Sequence, residues 1–331
     1  MYAATTGSVR WVTHPWPTWQ EAWRHALYGP GQFYRRESPA AHFRTSVHTS
    51  PLFADAILRL AGQVRAETIV DIGAGRGELL RRLSETAPEL ELIGVEVATR
   101  PRSLPDQIGW LTEPPEQVDG LVIANEWLDN VPCEVVEYAE DGRVRVVHVD
   151  PVTGAEALGD PPSEEDQRWL DGWWPLAEPG RRAEVGLSRD RAWAELAARV
   201  GCGLAVAIDY GHTMESRPTF GSLRSYQVGR EVEPRPDGTR DVTAHVSFDS
   251  LIHAGGGVLT SQRSALRSLG VRGDRPPLDQ ASTDPVGYVR ALSAATQAAE
   301  LTAEHGLGAF GWVLHAKGVE LSMLARSDRA G

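Results

Sequence analysis

The chain has 331 residues, 41% of them hydrophobic, and a formal net charge of −12. That length accommodates one α/β domain with insertions, and the negative charge argues against general affinity for DNA, RNA or anionic membrane. No apolar run of about twenty residues could span a bilayer, and no basic-then-apolar leader opens the chain, so neither a nucleic acid nor a membrane is expected as partner.

Residues 1–40 are rich in Trp, Pro, Tyr and Arg, with Trp11, Trp16, Trp19 and Trp23 ahead of Tyr28-Gly-Pro-Gly31. The stretch 19–27 reads as an amphipathic helix, and the whole segment 1–60 as an aromatic and helical cap packed on the core. Pro51 to Leu60 is predicted helical, with Ser50 as N-cap and Pro51 in the first turn. The remainder, 61–331, reads as one Rossmann-like domain with insertions at about 134–188 and 212–246.

The β-branched run Thr68 to Ile72 is a buried strand that breaks at Gly73, Gly75 and Gly77 into a helix marked by Leu79, Leu80 and Leu83. A second strand, Leu92 to Val95, ends in Glu96. Residues 109–111 and 119–124 are predicted as strands three and four, the latter running into Asn125-Glu-Trp-Leu-Asp-Asn-Val-Pro132. Residues 134–138 and 143–149 alternate around Glu140-Asp-Gly142 as a hairpin. A helix over 190–200 precedes a fifth strand, 204–208, which ends in Asp209-Tyr-Gly-His212. After a polar excursion come a helix, a short strand and further helix, including 284–304, and then a closing strand over 310–316. Alternating strands and helices imply a mostly parallel sheet covered on both faces, with ligands beyond the strands' carboxyl ends. Every polar cluster singled out here follows a predicted strand.

The glycine turn, a helix N-terminus and an acid ending the next strand describe a nucleotide-like pocket. A dinucleotide fingerprint requires its third glycine at position 78, which is Glu78, a charge opposed to a pyrophosphate. S-adenosylmethionine (SAM) carries an ammonium, a carboxylate and a sulfonium but no phosphate. Asp71 before the Gly-x-Gly-x-Gly turn suits that ligand better. Gly73, Gly75 and Gly77 are assigned to close backbone approach, Asp71 to the methionine ammonium and Glu96 to the ribose, with Asn125 added to the cofactor set.

Val70-Asp-Ile-Gly-Ala-Gly-Arg-Gly77 looks like motif I of the Rossmann-like, class I methyltransferases. Tyr28-Gly-Pro-Gly31, the block 43–53, Ala124 to Pro132, Ile208-Asp-Tyr-Gly211, Gly221 to Tyr226 and Asp241-Val-Thr-Ala-His-Val-Ser-Phe248 resemble the MidA-like methyltransferases in content and order. That family includes the mitochondrial arginine methyltransferase assisting complex I assembly. The resemblance implies a mostly parallel seven-stranded sheet, SAM as cofactor and a protein arginine as acceptor. The chain departs from the family pattern at His48 and at Asp129-Asn130, which leaves the acceptor open. A small molecule or peptide natural product methylated at oxygen or nitrogen is the same-fold alternative. A non-catalytic SAM-binding assembly factor is the alternative of another class.

Glu126 and Asp129 are the candidate acceptor-side carboxylates: three residues apart, they share one face if the segment is helical. Such a pair suits a guanidinium. By resemblance His245 joins the catalytic set, and Tyr28, Ser46, His48, Asp209 and Tyr210 line the acceptor. No Cys/His cluster has metal spacing, so no metal is expected. Cys133 and Cys202 both sit in apolar surroundings, which predicts reduced, buried thiols and a cytoplasmic setting.

Overall fold

The computed structural model describes residues 15–29 and 50–320. Its centre is a seven-stranded sheet formed by β1 (Thr68–Ile72), β2 (Glu91–Val95), β3 (Gly109–Leu111), β4 (Val118–Asn125), β5 (Val200–Asp209), β6 (Val258–Ser261) and β7 (Gly311–Lys317). The strand order is β3-β2-β1-β4-β5-β7-β6. The first five of these strands run parallel, while β7 is antiparallel to both of its neighbours. From β1 the chain builds outward through β2 and β3, then returns to lay β4 on the other side of β1. That reversal opens a crevice beyond the carboxyl ends of β1 and β4.

Strand alternation divides the core between the two faces. Ile69, Leu121 and Leu204 point to one side, Val70, Val122 and Ala205 to the other. The first face is covered by α2 (Pro51–Gln63), α3 (Glu78–Thr86), α7 (Gln262–Ser268) and α8 (Pro285–Leu301), which contribute Phe53, Ile57, Leu80, Leu83, Leu266 and Leu301. The second is covered by α5 (Leu187–Ala198) and α6 (Phe248–Gly255) through Trp193, Leu196 and Leu251. Both faces are covered, so the central strands read as continuous apolar runs.

Two accessory sheets grow from the connections. Glu134–Tyr138, Val144–Val149, Glu156–Leu158 and Arg182–Val185 make an antiparallel four-stranded sheet that carries α4 (Glu164–Trp173). Arg224–Gln227, Arg230–Val232 and Asp241–Thr243 make a three-stranded one where only a polar excursion was expected. Helix α1 (Trp19–Tyr28) opens on a capping box between Thr18 and Glu21 and buries Trp19, Trp23 and Leu27 against Val135, Val147 and Val242 of these sheets. The Thr18 hydroxyl donates to Glu134 at 2.8 Å and the Trp19 indole to Glu156 at 2.7 Å. The Ser50 cap and first-turn Pro51 of α2 are as expected. Cys133 is buried, but Cys202 is exposed, against expectation. It lies on β5 near the amino end, beyond the strand's fully buried stretch that begins at Gly203.

One side chain ties the accessory layer to the main sheet. Arg189, in the first turn of α5, is 1% exposed. Its guanidinium donates to the carbonyls of Val131 (3.0 Å), Asp129 (2.6 Å), Ala244 (3.0 Å) and His245 (2.8 Å). Trp23 of α1 lies 5.6 Å from it, in cation–π range. Replacing it by Met keeps the stem but orphans four carbonyls. Arg189→Met is expected to lose about 3 kcal/mol or more of unfolding free energy in urea titrations. A loss below about 1 kcal/mol would show that water replaces the guanidinium.

Candidate active site

The turn leaving β1 holds Gly73, Gly75 and Gly77 at φ +70°, +57° and +74°, a region that side chains other than glycine occupy at a cost. The three serve different neighbours. A Cβ on Gly73 would come within 2.9 Å of Trp127 Cδ1, and one on Gly77 within 2.6 Å of Leu104 Cδ1. A Cβ on Gly75 would meet only the Glu78 carboxylate, at 3.5 Å. Gly73 and Gly77 therefore let protein pack on the loop, whereas Gly75 leaves one face clear.

Glu96, one residue beyond β2, faces the same loop. It accepts the Gly75 amide at 3.0 Å through one oxygen and the Ala98 amide at 3.1 Å through the other. Burial raises its pKa, and these backbone bonds oppose the rise. With up to four acceptor sites, the carboxylate retains capacity for a further donor. Asp71, inside β1, is 4% exposed, and its carboxyl makes no hydrogen bond among the described residues. Burial first, then the charges of Glu78 and Glu96, push its pKa up to about 8. A buried carboxyl without a partner is costly, and a cation delivered by a ligand would relieve that cost.

The loop after β4 touches the glycine turn through Trp127. Asn125 donates to Glu126 at 3.3 Å, while its own Oδ1 is buried with no partner among the described residues. Glu126 is a non-glycine residue at φ +51°, pinned by its amide bond to the Ile208 carbonyl at 2.8 Å. Such strain persists only where the surroundings enforce it.

Asp129 departs from the expectation. Leu128–Asn130 is a single 3-10 turn with Glu126 outside it, so the two acids do not share a helical face. Asp129 is 0% exposed; its carboxylate takes the Tyr210 hydroxyl, the Thr243 hydroxyl at 2.7 Å and the Asn130 amide at 3.0 Å. Asp209, also buried, accepts the amides of Asp129 (3.1 Å) and Tyr210 (3.0 Å). Burial raises the pKa of both; Asp129 adds to the rise at Asp209, and the hydroxyl bonds oppose it at Asp129.

His245 is exposed, 5.3 Å ring to ring from Tyr210. Surrounding protein, Arg224 and Arg189 lower its pKa to about 4, so the imidazole is neutral at physiological pH. Tyr28, at the end of α1, donates to the Asn130 carbonyl at 3.0 Å. Burial, then the charges of Glu96 and Asp129, oppose its ionisation, so this cap residue feels both halves of the crevice. Ser46 and His48 lie outside the described residues.

The structure thus joins Asp71, the glycines and Glu96 in one half, and Asn125, Glu126, Asp129, Asp209, Tyr210 and His245 in the other. Sequence reasoning missed Arg189 and Trp127. It quoted Thr243 only within a block, whose Asp-x-Thr spacing is the signal that could have found it. No group of His, Cys, Asp and Glu among the described residues could hold a metal, and no helix there is long and apolar enough to cross a membrane.

Residues 53–264, well over half of the chain, match the model of a family described as "putative S-adenosyl-L-methionine-dependent methyltransferase". The chain belongs to that family and is a SAM-dependent methyltransferase. A crystal structure from Burkholderia thailandensis, described as a "likely methyl transferase" bound to S-adenosyl-homocysteine, is 26% identical. The match covers 94% of this chain and 91% of that one, with a TM-score of 0.77. A native crystal structure of a protein of the same superfamily and organism is 25% identical, with coverages of 94% and 90% and a TM-score of 0.77. No curated protein matches the chain. The clear face at Gly75 and the unpartnered Asp71 carboxyl are compatible with such a cofactor.

Two measurements check this half of the site. Gly75→Val should abolish S-adenosyl-homocysteine binding in calorimetry at a strain cost of about 1–2 kcal/mol. Gly77→Val, which drives into Leu104, should cost more stability than Gly75→Val. Equal affinity in Gly75→Val and wild type would rule out ligand approach there. Asp71 gains proton affinity on folding, so its ionisation destabilises the ligand-free protein as pH rises from about 4 through about 8. Asp71→Asn should therefore stabilise the ligand-free protein at pH 7 by about 1 kcal/mol or more and weaken SAM about 30-fold. A lower melting temperature together with unchanged affinity would refute both parts.

Proposed function

We propose that this methyltransferase transfers its methyl group to an arginine side chain of a protein, with Glu126 receiving the guanidinium. The observation that carries the reading is the charge balance beyond β4 and β5. Glu126, Asp129 and Asp209 gather there, and Arg189, the cation buried among them, has given donors to four carbonyls. A guanidinium brings five donors in a rigid fork, a shape matched to a carboxylate in an acidic neighbourhood.

Bound SAM supplies an electrophilic methyl on a sulfonium. The chain's part is to hold and orient. Asp71 and the free Asn125 Oδ1 are suited to the methionine ammonium, Glu96 to the ribose hydroxyls, and Gly75 to close backbone approach. Glu126 pairs with the guanidinium, draws its charge away from the attacking nitrogen and receives the proton that nitrogen sheds. Asp129 and Asp209 act from behind: buried and held by protein donors, they position the loop and set its potential. Tyr210 and Tyr28 wall the acceptor side.

A second reading has one observation in its favour. His245 is exposed and neutral beside Tyr210, which suits proton removal from a hydroxyl or amine of a small molecule or peptide.

Incubation with isotopically labelled SAM and lysate of the native host separates the two. The arginine reading expects label in protein bands and, after hydrolysis, in methylated arginine; label confined to small molecules would overturn it. Glu126→Gln should leave S-adenosyl-homocysteine affinity within about threefold, because the change touches the acceptor half only, and lower turnover about 100-fold. Normal turnover in that variant would remove Glu126 from the acceptor site.

A further inference from the structure

A cavity of about 220 Å³ lies where the two accessory sheets meet, away from the glycine turn, with Glu156, Arg182, Glu184, Phe220, Arg224 and Glu233 among its walls. Its volume corresponds to roughly seven waters, ample for one long side chain. Neither arginine is free to attract an anion. Arg182 pairs with Glu137 at 3.0 Å and Glu156 at 2.5 Å, and Arg224 pairs with Glu231 at 3.1 Å. Glu184 is taken up by the amides of Ser222 and Leu223. Glu233 makes no ion pair among the described residues. Phe220, whose backbone bridges to Arg182, holds its ring 72% exposed beside the cavity. The wider field has the same sign. Residues 134–188 carry thirteen acidic and five basic side chains, eight of the chain's twelve net negative charges.

We infer that this cavity docks a basic side chain of the acceptor protein, an arginine or lysine near the one to be methylated, with Phe220 under the cation and Glu233 as its counter-charge. An exposed aromatic ring beside an unpaired carboxylate suits a cation and offers nothing to an anion. The cavity also adjoins the acceptor half. The Ser222 hydroxyl donates to Glu184 in the cavity wall and accepts the amide of His245. Ser222 thus links the cavity wall directly to the backbone of His245, so that one peptide could engage both. The inference deepens the arginine reading and rests on it for the identity of the partner.

The test uses the full chain saturated with S-adenosyl-homocysteine and a fluorescent glycine–arginine peptide, followed by anisotropy at low ionic strength. The peptide is expected to bind, and to bind less tightly as salt rises. Phe220→Ala and Glu233→Gln, both at exposed positions, should each weaken it about two- to fivefold, and together about tenfold. Cofactor affinity should not change. Unchanged peptide affinity in the double variant, absence of binding, or tighter binding of an aspartate-rich peptide would overturn the docking site. Labelled SAM then tells this failure from failure of the arginine reading. If binding depends on both residues but no methyl reaches the peptide, the docking site stands and the arginine reading falls. If the peptide is methylated with the same KM by wild type and double variant, the arginine reading stands and the docking site falls.

Discussion

The buried guanidinium of Arg189 is the contact on which the acceptor half depends. It takes carbonyls from two loops far apart in sequence, 129–131 and 244–245, and holds both against α5. Among the described residues no carboxylate pairs with it directly. Its charge is met at longer range by Asp129 and Asp209, whose pKa values it lowers against the larger effect of burial. An arrangement in which a cation is hydrogen-bonded only by neutral dipoles, with its counter-charges one layer away, is costly to desolvate. What it achieves is geometric: the Asp129 carbonyl points at Arg189, so its side chain turns to Tyr210 and Thr243, and the chain enters this turn through Glu126 in a left-handed conformation.

A shifted pKa alone does not separate function from structure here. Asp190 is pushed up to about 6 and Glu134 to about 7, both chiefly by burial, yet each has a partner from the fold. Asp190 accepts the Trp169 indole at 2.7 Å and Ser250 at 2.9 Å, and Glu134 accepts the Thr18 hydroxyl. Asp71 differs because nothing in the described protein answers it. The useful criterion is perturbation together with an unmet hydrogen bond at a strand's carboxyl end, which Asp71 satisfies fully and Asn125, through Oδ1, in its second part.

How much of this was legible in the sequence follows from the range of the interactions involved. Strand β1, the glycine turn and α3 are set by neighbours in sequence: a β-branched run, three residues free to take positive φ, then leucines at helical spacing. The local geometry of the first half, a strand, a glycine turn and a helix, could therefore be read directly from the sequence. Helix α1 was legible for the same reason, from Thr18 to the buried tryptophans. Asp129 was misjudged because three-residue spacing was read as helix, whereas long-range bonds from Arg189, Thr243 and Asp209 fold the segment into one 3-10 turn. Arg189 had no local signature among so many arginines, and only the meeting of loops more than fifty residues apart gives it meaning. The three-stranded sheet at 224–243 was missed because its strands are short and polar, stabilised by pairing rather than by periodicity.

The same difference of range divides the molecule's two tasks. On the proposed assignment the cofactor residues Asp71, Gly75, Glu96 and Asn125 lie at the carboxyl ends of β1, β2 and β4, neighbouring strands of the main sheet. Much of the proposed acceptor side is held through elements outside that sheet, namely Arg189 directly after 134–188, Thr243 and His245 at the end of the second excursion and Tyr28 at the end of α1, while Glu126 is pinned to Ile208 of β5. Changes in those elements would alter potential and shape on the acceptor side before they reach Asp71, Gly75 or Glu96; among the described residues the halves meet through Trp127 against Gly73, the Asn125–Glu126 hydrogen bond and the field at Tyr28. On the proposed reading one methyl-donor site can accordingly be kept while the acceptor changes, and the 134–188 segment, with eight of the chain's twelve net negative charges, biases that side towards a cation.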